Sequence, residues 1–263
     1  MAREWLYRQP EWLIVVVFLA LMALLLETGF HFATRPRKGT GDVGATIPTL
    51  QGAILALVGI TMAFSFSMAS ARYDARRALV VQEANAIGTA YLRAGLLAGD
   101  APGQARELLR AYVSQRLDML GATAAPDRYA RAVAESEKIH TQVWAIAERA
   151  AHDDPKPPIA GLFAQAVNDV IDVHSLRVHA NEDRIPEAVL YVLIIFALVA
   201  SLTVGYGAGL GGSRRPVLSV CFCLLVALML GMVIDADRPE RGLIRISQQR
   251  LVELRDAFAK PGP

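Results

Sequence analysis

The sequence has little from which to build a disulfide framework, a metal cluster or a base-stacking surface. It holds two cysteines in 263 residues, Cys221 and Cys223, and both lie inside an apolar run. Neither a pairing scheme nor a zinc spacing follows from them. Aromatic residues make up 7% of the chain and the formal net charge is +2. A nucleic-acid partner, which calls for a basic and aromatic surface, is therefore not expected.

Motifs for chemistry are scarce as well. The chain lacks a Walker loop, a nucleophile elbow, an HExxH pair and paired carboxylates within apolar segments. The histidines are His31, His140, His152, His174 and His179. On a helix His174 and His179 diverge by about 140° at 3.6 residues per turn, so with Asp172 they do not make a ligand set. Asp153 and Asp154 fall in a proline-rich linker. No enzyme, cofactor or metal is expected.

Apolar residues are in excess. They make up 54% of the chain, against roughly 45–50% in ordinary soluble domains, and they are gathered into runs. A helix needs about 20 apolar residues to cross a ~30 Å hydrocarbon layer. Spans are expected at about 12–30, 47–71, 188–204 and 216–234. Trp12 suits an interfacial anchor. No small-residue cleavage site follows the first run, which argues for an uncleaved span. Gln51, Thr61, Ser65, Ser67 and Ser70 are scattered along the second span. They suit either helix packing through hydroxyl and small residues or the lining of a wet pathway. The segment GYGAGLGG, 205–212, reads as a flexible loop after the third span. Asp235 and Asp237 are expected to end the fourth. No ionisable residue lies at the middle of a span, which disfavours an ion-coupled transporter.

The remaining sequence is helical by pattern, so the fold class is all-α. The organisation expected is a transmembrane hairpin over 1–71, a helical region over 72–186, a second hairpin over 187–234 and a C-terminal segment over 235–263. In 72–97, Tyr73, Arg77, Val80, Ala84, Ile87 and Tyr91 recur at helical steps on one face, with Asp74, Gln82, Glu83 and Asn85 largely elsewhere. Further helices are expected over 104–120, 127–151, 158–179 and 244–258. The expected buried residues include Leu109, Tyr112 and Val113, then Val143 and Trp144, then Leu162, Phe163 and Val170. Prolines in HDDPKPP, 152–158, interrupt the helical pattern.

Two charge clusters flank the spans. Arg72, Asp74, Arg76 and Arg77 follow the second, and Asp235, Asp237, Arg238 and Arg241 follow the fourth. With four spans both lie on the same side as the termini. Two readings stand: a clamp between the two helix ends, or a charged vestibule to a conduction path. The excess of Arg near the span ends on that side favours termini inside.

The stretch FSFSMASARYDARRALVVQEANAIGTAYLRAGLL, 64–97, together with DADRPERGLIRISQQRLVELRDAF, 235–258, resembles the bacterial bestrophin-like domain proteins, a four-span family. The most specific parts are the helix carrying Glu83, Asn85, Tyr91 and Arg93 and the DADRPERG segment. At greater distance Phe64, Ser65, Ser67, Tyr73, Asp74, Ala75 and Arg76 resemble the end of the second span in bestrophin ion channels. The twin tryptophans of bacterial bestrophins are missing there. The resemblance implies a multi-pass protein of the bacterial inner membrane; the positive charge near the span ends places its termini and residues 72–186 on the cytoplasmic side. The resemblance also implies a homo-oligomer, a pentamer in the bestrophins, passing small ions. The pore neck would be apolar and made by Ile60, Phe64 and Met68, spaced i, i+4, i+8. The alternative from another class is a membrane-anchored helical interaction or sensory protein without a pore.

Overall fold

The computed structural model describes residues 9–35, 46–119, 126–153, 158–212, 214, 216–238 and 244–260. Among them no residue is in a strand. The helices are α1 (Glu11–Ala33), α2 (Thr46–Ala94), α3 (Ala101–Asp118), α4 (Pro126–Asp153), α5 (Pro158–Glu182), α6 (Glu187–Leu210), α7 (Pro216–Asp237) and α8 (Gln249–Ala259). Four of the helical stretches are long and apolar enough to cross a membrane, and they contain the four expected spans. The chain packs as two compact units, one of 1–71 with 184–237, the other of 72–183 with 238–263.

In the first unit α1 packs mainly against α6 and α7. The contact with α6 is built on glycine. A Cβ at Gly205 would fall on the carbonyl oxygen of Leu26, and one at Gly29 on that of Leu202. At Gly209 it would lie 2.6 Å from the carbonyl oxygen of Phe30. Two backbones at this approach gain dispersion contacts that bulkier residues would prevent, which is how helices associate without a hydrophobic driving force between them. This corrects the expected loop at 205–212. The glycines belong to the helix as its packing face, and α6 runs on to Leu210. The chain turns after that, at Gly212, whose φ of 65° suits a residue without Cβ.

Helix α7 runs to Asp237, three residues past the expected bound of the fourth span, and Asp235 and Asp237 lie buried in its last turn. Asp237 Oδ2 accepts the backbone N–H of Ile185 at 2.9 Å. A carboxylate at that point satisfies a donor ahead of the α6 N-terminus, where the helix dipole also favours negative charge.

The second unit is a helical bundle around Ile87, Leu109, Tyr112, Val113, Val143, Phe163 and Val170. The buried face of 72–94 is Arg76, Val80, Glu83, Ala84, Ile87, Ala90 and Ala94, a stripe at helical spacing. The expected phase was centred one residue off: Arg77 is exposed and Glu83 is buried. Leu162 and Trp144, expected inside, are exposed. Helix α3 starts at Ala101, earlier than expected, with Pro102 in its first turn, where a missing N–H costs nothing. Helix α8 starts later than expected, at Gln249, after a non-helical stretch 244–248. It packs by Leu251 and Phe258, and Phe258 stacks on Tyr91 with ring centroids 3.8 Å apart.

Candidate functional site

The spanning part of α2 has two faces. Val58, Met62, Ser65 and Ala69 are buried in the first unit. Ile60, Phe64 and Met68 are left uncovered by the chain, at 54%, 69% and 39% exposure. Helical steps of four put these three on one stripe. Two hydroxyls of this span, those of Thr61 and Ser65, are satisfied within their own helix. Thr61 donates to the carbonyls of Leu57 and Val58, both at 2.9 Å, and Ser65 donates to Thr61 at 2.8 Å. These hydroxyls therefore need no water to be paired.

The cluster beyond this span divides into buried and exposed members. Arg76 is buried and donates to the carbonyl oxygens of Ala180 at 2.8 Å and Asp183 at 2.6 Å. Arg72 reaches the Asp183 carboxylate at 3.3 Å. A guanidinium thus caps the C-terminus of α5, where unpaired carbonyls and the dipole favour a cation. Asp74 and Arg77 are exposed. In the second cluster Asp235, Asp237 and Arg238 are buried, while Arg241 lies outside the described residues.

The helix carrying the family resemblance holds a buried polar assembly around Glu83. Glu83 is fully buried. Its Oε1 lies 2.8 Å from Arg116 Nε and accepts the Tyr112 hydroxyl proton at 2.8 Å. Its Oε2 pairs with Arg177, and Arg177 Nη2 donates to Gln248 Oε1 at 3.2 Å. Burial alone would raise the Glu83 pKa, but the guanidiniums of Arg116 and Arg177 and the Tyr112 and Arg177 hydrogen bonds outweigh it and hold the carboxyl ionised. Burial, reinforced by the Glu83 charge, pushes the Tyr112 phenol well above its ordinary range.

His174 Nδ1 lies 3.1 Å from the Tyr112 oxygen. The one phenolic proton goes to Glu83, so the oxygen accepts and His174 carries its proton on Nδ1. His174 Nε2 is then a bare acceptor, buried and without a hydrogen-bond partner among the described residues. His140 sits edge-on to His174 at a centroid distance of 4.8 Å and against Tyr112 at the same distance. Burial depresses both imidazoles, to about 4 for His140 and about 3 for His174, and Arg116 adds to the effect. Both are neutral at pH 7. His179 is exposed, and among the described residues no three His, Cys, Asp or Glu side chains group to hold a metal ion.

The other residues of this helix have different partners. Arg93 donates to the Leu162 carbonyl at 2.8 Å. The Tyr91 hydroxyl accepts from Arg110 at 2.6 Å. Asn85 is exposed. Sequence reasoning missed Arg116, Arg177 and Tyr112 as polar partners of Glu83, and with them Gln248 behind Arg177 and His140 against Tyr112. The available signal was the spacing of Glu83, three from Val80 and four from Ile87, which places a carboxylate on the apolar face and demands cationic partners.

A family model for the bestrophin-like domain matches residues 15–251. No curated protein matches the chain. Among solved structures, a variant of a membrane protein superposes with a TM-score of 0.67 at 15% identity, covering 93% of this chain and 97% of that one. A bacterial bestrophin homologue from Klebsiella pneumoniae, also a single-site variant, superposes with a TM-score of 0.65 at 13% identity, again over 93% and 97%. At such identities the likeness is one of fold. The family match extends over nearly the whole chain and takes in both the uncovered stripe of α2 and the Glu83 assembly: the chain belongs to the bestrophin-like domain family.

Proposed function

We propose that this protein is an oligomeric ion channel of the bestrophin-like type, with the spanning part of α2 lining the path. The observation that carries the reading is the uncovered stripe of Ile60, Phe64 and Met68 opposite a buried face of the same helix. Copies arranged around a central axis would turn that stripe inward as an apolar neck, and a constriction of bulky apolar side chains gates by dewetting. A pentamer is the assembly that the bestrophin resemblance supplies. The protein sits in the bacterial inner membrane in this reading, with its termini and the second unit cytoplasmic, in keeping with the arginine excess on that side. The Glu83 assembly serves the bundle that would form the vestibule and takes no part in conduction.

The test is flux. Purified protein in liposomes passes small ions, and Phe64→Ala raises the rate by widening and wetting the neck. The alternative, a membrane-anchored helical interaction protein, is favoured by the exposure of Leu92 and Leu96 in the second unit, 70% and 58%. It gives a monomer or dimer without flux.

A further inference from the structure

The membrane unit carries a slot of about 330 Å³ between α1, α6 and α7. Its walls are apolar and include Leu19, Ala23, Ala208, Val220, Cys223 and Leu224. On α1 the lining runs from Leu19 to Phe30, a length of roughly 16 Å at the helical rise. This is a groove on the scale of one acyl chain, running along the helices that cross the bilayer.

Its polar end is different in kind. Arg214 and Glu27 line it. Arg214 Nη2 stands 3.5 Å from Glu27 Oε2, with both side chains more than half exposed, and the guanidinium lies over the Phe30 ring at 4.7 Å. His31 Nε2 is 3.8 Å from the same carboxylate. Glu27 lies in the last two turns of α1 and Arg214 two residues ahead of α7, toward the end of the spans, where a headgroup would be within reach. One cation and one anion, side by side and loosely paired, form the complement of a headgroup that carries both charges.

We infer that this slot is a binding site for a phospholipid with a primary-ammonium, zwitterionic headgroup, such as phosphatidylethanolamine. Its phosphate is held by Arg214, its ammonium by Glu27, and one acyl chain lies in the groove. The chemistry selects among headgroups. Arg214 offers several N–H donors to phosphate oxygens. An ammonium offers three donors to the Glu27 carboxylate. A net-anionic headgroup without an amine would leave Glu27 facing phosphate, and a quaternary ammonium has no N–H to donate. The site does not depend on conduction, so it stands or falls separately from the channel reading.

The experiment is retention of defined lipids. Full-length protein is reconstituted in mixed bilayers of phosphatidylethanolamine, phosphatidylcholine and phosphatidylglycerol in equal parts, extracted in mild detergent, and its bound lipid counted by native mass spectrometry. Phosphatidylethanolamine should be enriched over both others. Glu27→Gln and Arg214→Ala should each reduce that enrichment roughly two- to fivefold, the range for a half-exposed charge pair. Ala23→Phe fills the groove from its apolar wall and should remove it with both charges intact. Unchanged helicity and melting temperature for each variant exclude unfolding as the cause. Equal retention of the three lipids overturns the inference. So does enrichment that all three substitutions leave unchanged, or a cross-link between copies through Ala23→Cys and Val220→Cys showing protein in the groove.

Discussion

Tyr112 donates its hydroxyl proton to Glu83 at 2.8 Å while its oxygen lies 3.1 Å from His174 Nδ1. The phenol therefore links a buried carboxylate, held between two guanidiniums, to a buried neutral imidazole. Removing the carboxylate's charge strands Arg116 and Arg177 inside the bundle. Glu83→Gln is expected to lower the unfolding free energy of the second unit by ~3–5 kcal/mol, the cost of breaking a buried pair from one side. Tyr112→Phe keeps both charges paired and should cost less, ~1–3 kcal/mol, for the partners it leaves unsatisfied. Denaturant unfolding in detergent, followed by the loss of helical circular dichroism, checks the order. Equal losses for the two variants would contradict it.

Acid should loosen the same unit before it affects the membrane spans. His140 and His174 are held at about 4 and about 3 in the folded protein, against an ordinary 6.5. Between those limits the unfolded chain binds more protons than the folded one, so stability rises with pH. It should be fully present above about pH 6.5 and decline as pH falls toward the folded values. Glu83, whose carboxyl is held below its ordinary 4.5, adds a loss in the same direction at the lower end of the window. His174→Gln should flatten the profile between pH 6 and pH 4 on the reference imidazole scale. The check is the melting temperature of each protein across pH. An unflattened profile would assign the acid sensitivity elsewhere.

The contact of α1 with α6 rests on the absence of side chains. A Cβ at Gly205 would land on the carbonyl oxygen of Leu26, which is backbone and cannot swing aside. Gly205→Ala is expected to destabilise the membrane unit by ~1–3 kcal/mol through forced separation of the helices. Gly52→Ala, where a Cβ would meet nothing within 4 Å, serves as the control and should be neutral or stabilising. Thermal melts of both variants in the same detergent give the comparison. A neutral Gly205→Ala would show that the helices do not approach as closely as described.

Much of the fold could be read from the sequence because hydropathy sets the spans directly and proline and glycine punctuate the bundle. The misreadings share a cause: each residue type was judged by its local habit, and tertiary contact decided otherwise. Glycines at 205–212 looked like a loop, since Gly weakens a helix by itself, yet packing against α1 keeps them helical. Asp235 and Asp237 do close α7, but their burial in its last turn, with Asp237 accepting from Ile185, could not be read from their type. Glu83 looked like a surface residue, and its cationic partners sit 33 and 94 positions along the chain, at Arg116 and Arg177, beyond any local pattern. Spacing puts Ile60, Phe64 and Met68 on one stripe, but that the chain leaves the stripe uncovered shows only in the structure. Nor was the slot at Arg214 legible, because it is assembled from three helices.

The central claim is that α2 lines an ion path closed by an apolar neck, and the most direct measurement is ion flux into liposomes for the wild type and Phe64→Ala, side by side. Passage of small ions by an oligomer, with a higher rate for Phe64→Ala at equal protein density, is the expected result. Absence of flux for both anions and cations from a folded oligomer, or a Phe64→Ala rate equal to the wild type, would contradict it.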